Sequence, residues 1–216
     1  MIRLVILDFD GTLADTQPLI VGSLQRTIRE LHLPARTDAE CRSIIGLPLK
    51  ECFTTLLGVD DTTAERCADH YRRVFDEDNH PGTVTLFSGV LDTITSLYER
   101  GLKLAICSSR GRPTLDGFVA TFGLQRYIGA IVSANDVLHA KPHPEPVQLI
   151  LKQLDIPAGE TIVVGDASFD ILMGRAAGCH TVGVTYGNQS AANLQSAGAD
   201  KLIDCFADLI PVVESF

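Results

Sequence analysis

A short apolar run followed by two closely spaced carboxylates constrains this chain more than any other feature. The run Leu4 to Leu7 is wholly branched and apolar, as in a strand buried on both faces of a parallel sheet. Asp8 and Asp10 follow it two residues apart, so in extended chain their side chains point to the same side. Two such carboxylates repel each other unless a cation lies between them, which favours a bound divalent metal ion. Gly11 then allows a sharp turn and lets the backbone approach an anion closely.

An Asp-Gly hairpin turn is the ordinary alternative for the same residues. A hairpin needs a second alternating strand after the turn. The residues that follow have helical spacing instead, with apolar side chains at Ile20, Leu24, Ile28 and Leu31. The spacing therefore favours a strand, a turn and a helix.

Length and composition indicate a globular protein. With 216 residues, of which 45% are hydrophobic, the chain can bury a substantial core and is long enough for one domain plus a smaller one. No apolar run approaches the roughly 20 residues that span a bilayer, and the N-terminal run is too short for a signal peptide and lacks a cleavage region. We therefore expect a cytoplasmic protein without a membrane partner, either a monomer or a homodimer.

Charge and cysteine content narrow the functional classes. The net charge of −9 argues against a nucleic-acid partner, because phosphate backbones are bound mainly by clustered Lys and Arg. An anionic substrate would need local positive charge from a metal ion and a few selected residues. The six cysteines include no C-x-x-C pair, so their spacing indicates neither a zinc site nor a disulfide framework.

Helix signals recur through residues 15–82 with no strand-like run between them, which predicts a small four-helix insert. The signals are a proline suited to a first turn, two capping boxes of the S/T-x-x-E type, and a proline and a glycine that bracket the third helix. In chain order they are Pro18, Thr37 with Glu40, Pro48 with Gly58, and Thr62 with Glu65. The insert ends at the helix breaker His80-Pro81-Gly82.

After Val84 the pattern changes to helices that alternate with short apolar strands. Such alternation predicts right-handed crossovers and a doubly wound parallel sheet, a Rossmann-like α/β core. The predicted helices span about 89–100, 113–122, 144–154 and 170–177, and the predicted strands span 103–107, 130–133, 161–165 and 181–184. We expect residues 1–14 and 83–216 to form this core and residues 15–82 to form the helical cap.

Polar side chains follow the later strands at the sheet edge where ligands bind in open parallel sheets. Ser108 and Ser109 come after the strand at 103–107, and their hydroxyl and backbone N–H groups can hold phosphate oxygens. Lys141 lies in a loop stiffened by three prolines, where a rigidly held ammonium supplies the positive charge that a phosphoryl group needs.

Two further carboxylates, Asp166 and Asp170, arrive at the end of the strand at 161–165. Together with Asp8 and the backbone carbonyl of Asp10 they offer enough oxygen ligands for Mg²⁺, with waters and substrate completing the octahedron. The combination predicts a magnesium and phosphate site at one edge of the sheet.

These four elements resemble the haloacid dehalogenase superfamily of phosphotransferases. The DxDGT element falls at Asp8 to Thr12, the hydroxyl of the second motif at Ser108, the lysine of the third at Lys141 and the acidic GDxxxD element at Gly165 to Asp170. The helical insert is similar to the family's cap of the first type. The chain looks most similar to the phosphoglycolate phosphatase branch, although Ser109 stands where that branch often has Asn.

The resemblance implies a Mg²⁺-dependent phosphatase that acts on a small phosphate monoester. Asp8 would attack phosphorus to give an aspartyl phosphate, while Asp10 would protonate the leaving alkoxide and later deprotonate water. The expected phosphate ligands are Gly11, Thr12, Ser108, Ser109 and Lys141, and the expected metal ligands are Asp8, Asp10 and Asp166, with Asp170 behind them.

Other activities of the superfamily remain as alternatives. A sugar phosphomutase would carry a His and an Arg in the cap, and neither occurs in residues 18–23 or 45–50. A regulator that binds phosphate without catalysis would be expected to have lost Asp8 or Asp10, and both are present. Phosphoglycolate, pyrophosphate, nucleotides and sugar phosphates all stay open as substrates.

Overall fold

The computed structural model describes all 216 residues and has a six-stranded parallel sheet at its centre. The strands in chain order are β1 Leu4–Leu7, β2 Ala14–Asp15, β3 Thr85–Leu86, β4 Lys103–Cys107, β5 Ile128–Val132, β6 Thr161–Gly165, β7 His180–Val184 and β8 Lys201–Ile203. The main sheet has the order β5-β4-β1-β6-β7-β8, and every pairing in it is parallel. The predicted doubly wound α/β fold is therefore confirmed.

The central strand β1 is buried on both faces, as its composition predicted. Leu4 and Ile6 belong to the apolar cluster on one face of the sheet, and Val5 and Leu7 belong to the cluster on the other. All four side chains are fully buried. This alternation is what a strand covered by helices on both sides requires.

Ten α-helices surround the sheet. They are α1 Gln17–Glu30, α2 Asp38–Ser43, α3 Leu49–Leu57, α4 Asp61–Asp78, α5 Val90–Glu99, α6 Arg112–Thr121, α7 Glu145–Leu154, α8 Ser168–Ala176, α9 Ala191–Ser196 and α10 Leu209–Glu214. Helices α5, α6 and α10 pack on one face of the sheet, and α7 and α8 pack on the other. None of the helices is both long and apolar enough to cross a membrane.

Helices α1 to α4 lie within residues 15–82, for which the sequence predicts a helical insert, and their ends show which local signals predicted the helix boundaries. The capping box of Thr37 and Glu40 is present at the start of α2, and Gly58 ends α3 in the left-handed conformation. The box predicted for Thr62 and Glu65 is wrong. Asp60 caps α4 by accepting a hydrogen bond from the Thr63 backbone N–H, so this helix begins two residues earlier than that box would place it.

Strands β2 and β3 form a two-stranded antiparallel ribbon. The ribbon pairs the segment just before the helices α1 to α4 with the segment just after them. Two-residue strands carry no periodic pattern, and the sequence analysis did not predict them. The apolar cluster on one face of the sheet continues into the insert through Leu24, Phe53 and Phe75. The division of the chain into a core and a cap stays a prediction.

Candidate active site

The predicted site residues gather at the carboxyl ends of β1, β4 and β6. Strand β1 lies between β4 and β6. Strand β5 lies beyond β4 on one side of the sheet, and β7 and β8 lie beyond β6 on the other. Such a switch point leaves a crevice at the strand ends, because the connections on either side turn in opposite directions. The loops after these strands carry Asp8, Ser108 and Asp166.

A buried lysine holds two of the acidic side chains together. The Lys141 ammonium donates to a carboxylate oxygen of Asp8 at 2.5 Å and to one of Asp170 at 2.6 Å. The lysine side chain is only 3% exposed. Carboxylate oxygens of Asp8, Asp166 and Asp170 all lie within 4.8 Å of one another. Residues separated by up to 162 positions in the chain thus form one compact charged cluster, with Lys141 at its centre.

The cluster holds more negative than positive charge. Three ionised carboxylates and one ammonium have a formal charge of −2, in a region from which water is largely excluded. Burial, with the neighbouring carboxylates, raises the pKa of Asp8 well above its usual range. Burial and the charge of Asp170 raise the pKa of Asp166 to about 7. For Lys141, the charges of Asp170 and Asp8 outweigh the opposing effect of burial and raise the pKa.

Asp166 is oriented by the loop that follows β7. The backbone N–H and the side-chain amide of Asn188 donate to one oxygen of Asp166 at 2.6 and 2.7 Å. The Thr12 hydroxyl donates to the other oxygen at 3.3 Å. This approach requires Gly11, because a Cβ built there would lie 2.3 Å from the Asp166 carboxylate and the backbone has a φ of +83°. Hydrogen bonds from Asn188 and Thr12 therefore fix the orientation of the Asp166 carboxylate.

Asp10 has hydrogen-bond partners outside this acidic cluster. Its carboxylate accepts hydrogen bonds from Arg110 Nη2 at 2.6 Å, from Arg110 Nε at 3.1 Å and from the Thr16 hydroxyl at 2.7 Å. The guanidinium carbon of Arg110 lies over the rings of Phe75 and Phe118, 4.8 and 5.1 Å from their centres. The two carboxylates that open the site thus have different partners, Asp8 a lysine and Asp10 an arginine.

The two serines of the second motif have different contacts. Ser108 is buried, and its hydroxyl accepts the backbone N–H of Arg110 at 3.1 Å. The Ser109 hydroxyl donates to the carbonyl of Gly46 at 2.6 Å, which joins this loop to the segment between α2 and α3. The helical insert therefore contacts the site directly.

The loops after β1 and β4 contain backbone N–H groups that have no hydrogen-bond acceptor within the chain. The N–H groups of Phe9, Asp10 and Ser109 donate no hydrogen bond to any other atom of the chain. By contrast, the Gly11 N–H donates to the Ala14 carbonyl, and the Thr12 hydroxyl is engaged by Asp166. The expected roles of Gly11 and Thr12 as phosphate ligands stay predictions, as do those of the other site residues.

Sequence reasoning missed three residues of this site: Arg110, Thr16 and Asn188. Arg110 follows the two predicted serines directly, and a cation in that loop was the available signal. Thr16 lies just beyond the first motif and Asn188 lies after β7 at the same edge of the sheet. No local pattern in the sequence indicates that their side chains turn towards Asp10 and Asp166.

Comparison with known protein families covers the part of the chain that contains these residues. Residues 5–184 match the family model described as haloacid dehalogenase-like hydrolase, and this range contains all four sequence motifs. The chain belongs to this family. The predicted resemblance is thereby confirmed.

Individual members of the family align along nearly the whole chain. The pyrophosphatase PpaX of Oceanobacillus iheyensis is 34% identical over 212 residues, which cover 98% of this chain and 97% of that protein. A protein of Dickeya dadantii named "Probable phosphatase IndB" is also 34% identical, over 96% of this chain and 91% of its own length. The crystal structure of a haloacid dehalogenase-like hydrolase from Bacteroides fragilis superimposes with a TM-score of 0.92 at 28% identity, covering 97% of this chain and 100% of that one. This chain is thus a hydrolase with phosphatases among its relatives.

Proposed function

We propose that this protein is a Mg²⁺-dependent phosphatase that hydrolyses a small phosphate compound through an aspartyl phosphate on Asp8. The observation that carries the proposal is the buried cluster in which Lys141 contacts both Asp8 and Asp170. An anionic nucleophile can approach an anionic phosphoryl group only where fixed cations lower the repulsion between them. Membership of the hydrolase family and the names of the relatives support the same chemistry.

The donor set fits a hard divalent cation. The cluster offers oxygen atoms only, and its formal charge of −2 matches one Mg²⁺. Asp8, Asp166 and the backbone carbonyl of Asp10 would hold the ion, and Asp170 would hold Lys141. When bound, Mg²⁺ supplies charge neutralisation for the oxygens of the transferred phosphoryl group.

The residues of the chain then divide the reaction between them. Asp8 attacks phosphorus, so that a bond forms from its carboxylate oxygen as the bond to the leaving group breaks. Lys141, Ser108 and the free N–H groups of Phe9, Asp10 and Ser109 hold the phosphoryl oxygens. Asp10, carrying a proton taken up from solvent, turns from Arg110 towards the leaving group and donates that proton to it. It afterwards accepts a proton from the attacking water, whose bond to phosphorus forms as the bond to Asp8 breaks.

Pyrophosphate is the first substrate to test, and a small monoester such as phosphoglycolate is the second. The pyrophosphatase name of close relatives favours pyrophosphate, for which phosphate itself is the leaving group. The resemblance of the motifs to the phosphoglycolate phosphatase branch is what favours the monoester. Release of inorganic phosphate from a panel of phosphate compounds in Mg²⁺ ranks these candidates.

Trapping the covalent intermediate tests the chemistry itself. We expect Asp8→Asn to abolish turnover and to leave no phosphoenzyme, because an amide is a poor nucleophile. Asp10→Ala should accumulate phosphoenzyme with an aryl phosphate, because departure of that group needs little protonation whereas hydrolysis needs a base. Intact-mass measurement after rapid quenching detects the added phosphate.

The control for these variants is Asp92→Asn, which changes an exposed carboxylate in the first turn of α5 and should leave turnover unchanged. Phosphate on Asp10 in the Asp8→Asn variant would reverse the two roles. Unimpaired hydrolysis by both variants would remove these carboxylates from the reaction altogether.

A further inference from the structure

Arg110 is a buried cation to which the mechanism proposed above assigns no role during turnover. Its side chain is 9% exposed, and Asp10 is its only salt-bridge partner. The Nε and Nη2 atoms face Asp10, whereas Nη1 donates no hydrogen bond within the chain. One edge of the guanidinium therefore holds a carboxylate, and the Nη1 edge has no hydrogen-bond partner in the chain.

Asp10 is the only charged group hydrogen-bonded to Arg110, and the charge of Asp8 acts on it from farther away. Phe75 from α4 and Phe118 from α6 have their ring centres 4.8 and 5.1 Å from the guanidinium carbon of Arg110. Aromatic faces stabilise a cation but do not replace a hydrogen-bonded anion. A buried guanidinium that loses its anionic partner is strongly destabilised.

The proposed reaction removes that partner. Asp10 must contact the leaving-group oxygen to protonate it, and in the structure Asp10 contacts Arg110. The guanidinium therefore lies next to the carboxylate that must reach the leaving group. When Asp10 turns towards the substrate, Arg110 has no hydrogen-bonded anion unless the leaving group brings one.

We propose that Arg110 binds a negatively charged leaving group and so selects phosphate compounds whose leaving group carries an anion close to the transferred phosphoryl group. Phosphate leaving from pyrophosphate and the carboxylate of phosphoglycolate both meet this description, whereas simple alkyl esters do not. The planar fork of the guanidinium suits bidentate contact with either group. This inference rests on the proposed phosphatase function and extends it to the choice of substrate.

Two matched substrates isolate the effect of the charge. Phosphoglycolate and ethyl phosphate differ in having a carboxylate or a methyl group at the same position. The measurement is the ratio of kcat/KM for the two, compared between the unmodified protein and Arg110→Met, so that intrinsic reactivity cancels. We expect the variant to lower the ratio about 100-fold, in the range for truncating one member of a buried charge pair. Pyrophosphate against methyl phosphate should show the same trend.

Further variants separate binding of the leaving group from positioning of Asp10. Arg110→Lys keeps the charge and should restore part of the ratio. Arg112→Met removes a neighbouring, more exposed arginine that pairs with Asp116 and Asp136, and should leave the ratio unchanged. An equal loss on both substrates in Arg110→Met would mean that Arg110 only positions Asp10, and would overturn the inference.

A binding measurement tests the inference without turnover. The pair 3-phosphonopropionate and propylphosphonate has the same carboxylate-for-methyl exchange and cannot be hydrolysed. Calorimetry in Mg²⁺ should show at least about tenfold tighter binding of the carboxylate compound, lost in Arg110→Met. Equal affinities in the unmodified protein would refute the anion site. Absence of turnover on every phosphate compound would instead refute the proposed function, and the binding ratio would still decide the role of Arg110.

Discussion

Replacement of Lys141 by methionine tests the central cluster most directly. Methionine has a similar length but no charge, so the change removes two charge-assisted hydrogen bonds, of 2.5 Å to Asp8 and 2.6 Å to Asp170. The side chains of these carboxylates are 9% and 3% exposed, so water cannot replace the ammonium. Three buried carboxylates would then remain with no cation between them.

The expected cost follows from that burial. Removing one member of a buried ion pair typically costs about 3–5 kcal/mol of unfolding free energy, which for a chain of this size lowers Tm by about 6–20 °C. The loss should be largest at pH 8 without metal ion. It should be smaller at pH 5, because protonation of a carboxylate removes part of the uncompensated charge. Turnover should also fall about 10²–10³-fold through loss of a preorganised cation.

Urea unfolding in excess chelator at pH 5 and pH 8 measures the stability effect, and kcat in Mg²⁺ measures the catalytic one. Lys152→Met changes an exposed lysine in the last turn of α7 and serves as the control. If Lys141→Met and the control unfolded at the same urea concentration at pH 8, the cluster would not have the electrostatic importance argued above. An unchanged kcat would place Lys141 outside the chemistry.

Two further predictions concern the metal and pH. Mg²⁺ should be required for turnover, and full activity in excess chelator would contradict this. Ca²⁺ should inhibit, because the larger and looser coordination shell of Ca²⁺ fills the site but misplaces the nucleophile. Without metal ion, unfolding free energy should fall as pH rises from about 4 to 7, because the folded protein keeps protons on Asp8 and Asp166 that the unfolded chain has released. Added Mg²⁺ prefers the ionised carboxylates, so its stabilising effect in thermal unfolding should grow with pH, and Asp166→Asn should weaken both trends.

Some strands and helix ends form because of residues that lie within a few positions of one another, and these could be predicted from the sequence. The apolar run of β1, the capping box at Thr37 and the glycine stop at Gly58 act within a few residues, so the sequence predicts them directly. Strands β4 and β6 also begin and end where their apolar runs predict. The parallel sheet follows from the alternation of such strands with helices, because parallel strands need crossover connections.

Non-local contacts decided what the sequence analysis missed. The ribbon of β2 and β3 exists because segments about 70 positions apart meet, and the edge strand β8 depends on the presence of β7. Helix α4 is capped by Asp60 rather than by Thr62, and local preference alone did not separate these two candidate capping residues.

The site shows the same division. The motifs place Asp8, Lys141, Asp166 and Asp170 at strand ends of a parallel sheet, and so predict from sequence alone that they meet. The contact of Arg110 with Asp10 joins residues 100 positions apart and depends on where Phe75 and Phe118 direct the guanidinium. Side-chain direction is set by packing against neighbours from distant parts of the chain. Sequence therefore determined which strands are followed by the predicted site residues, whereas the tertiary structure alone decided which cation contacts which carboxylate.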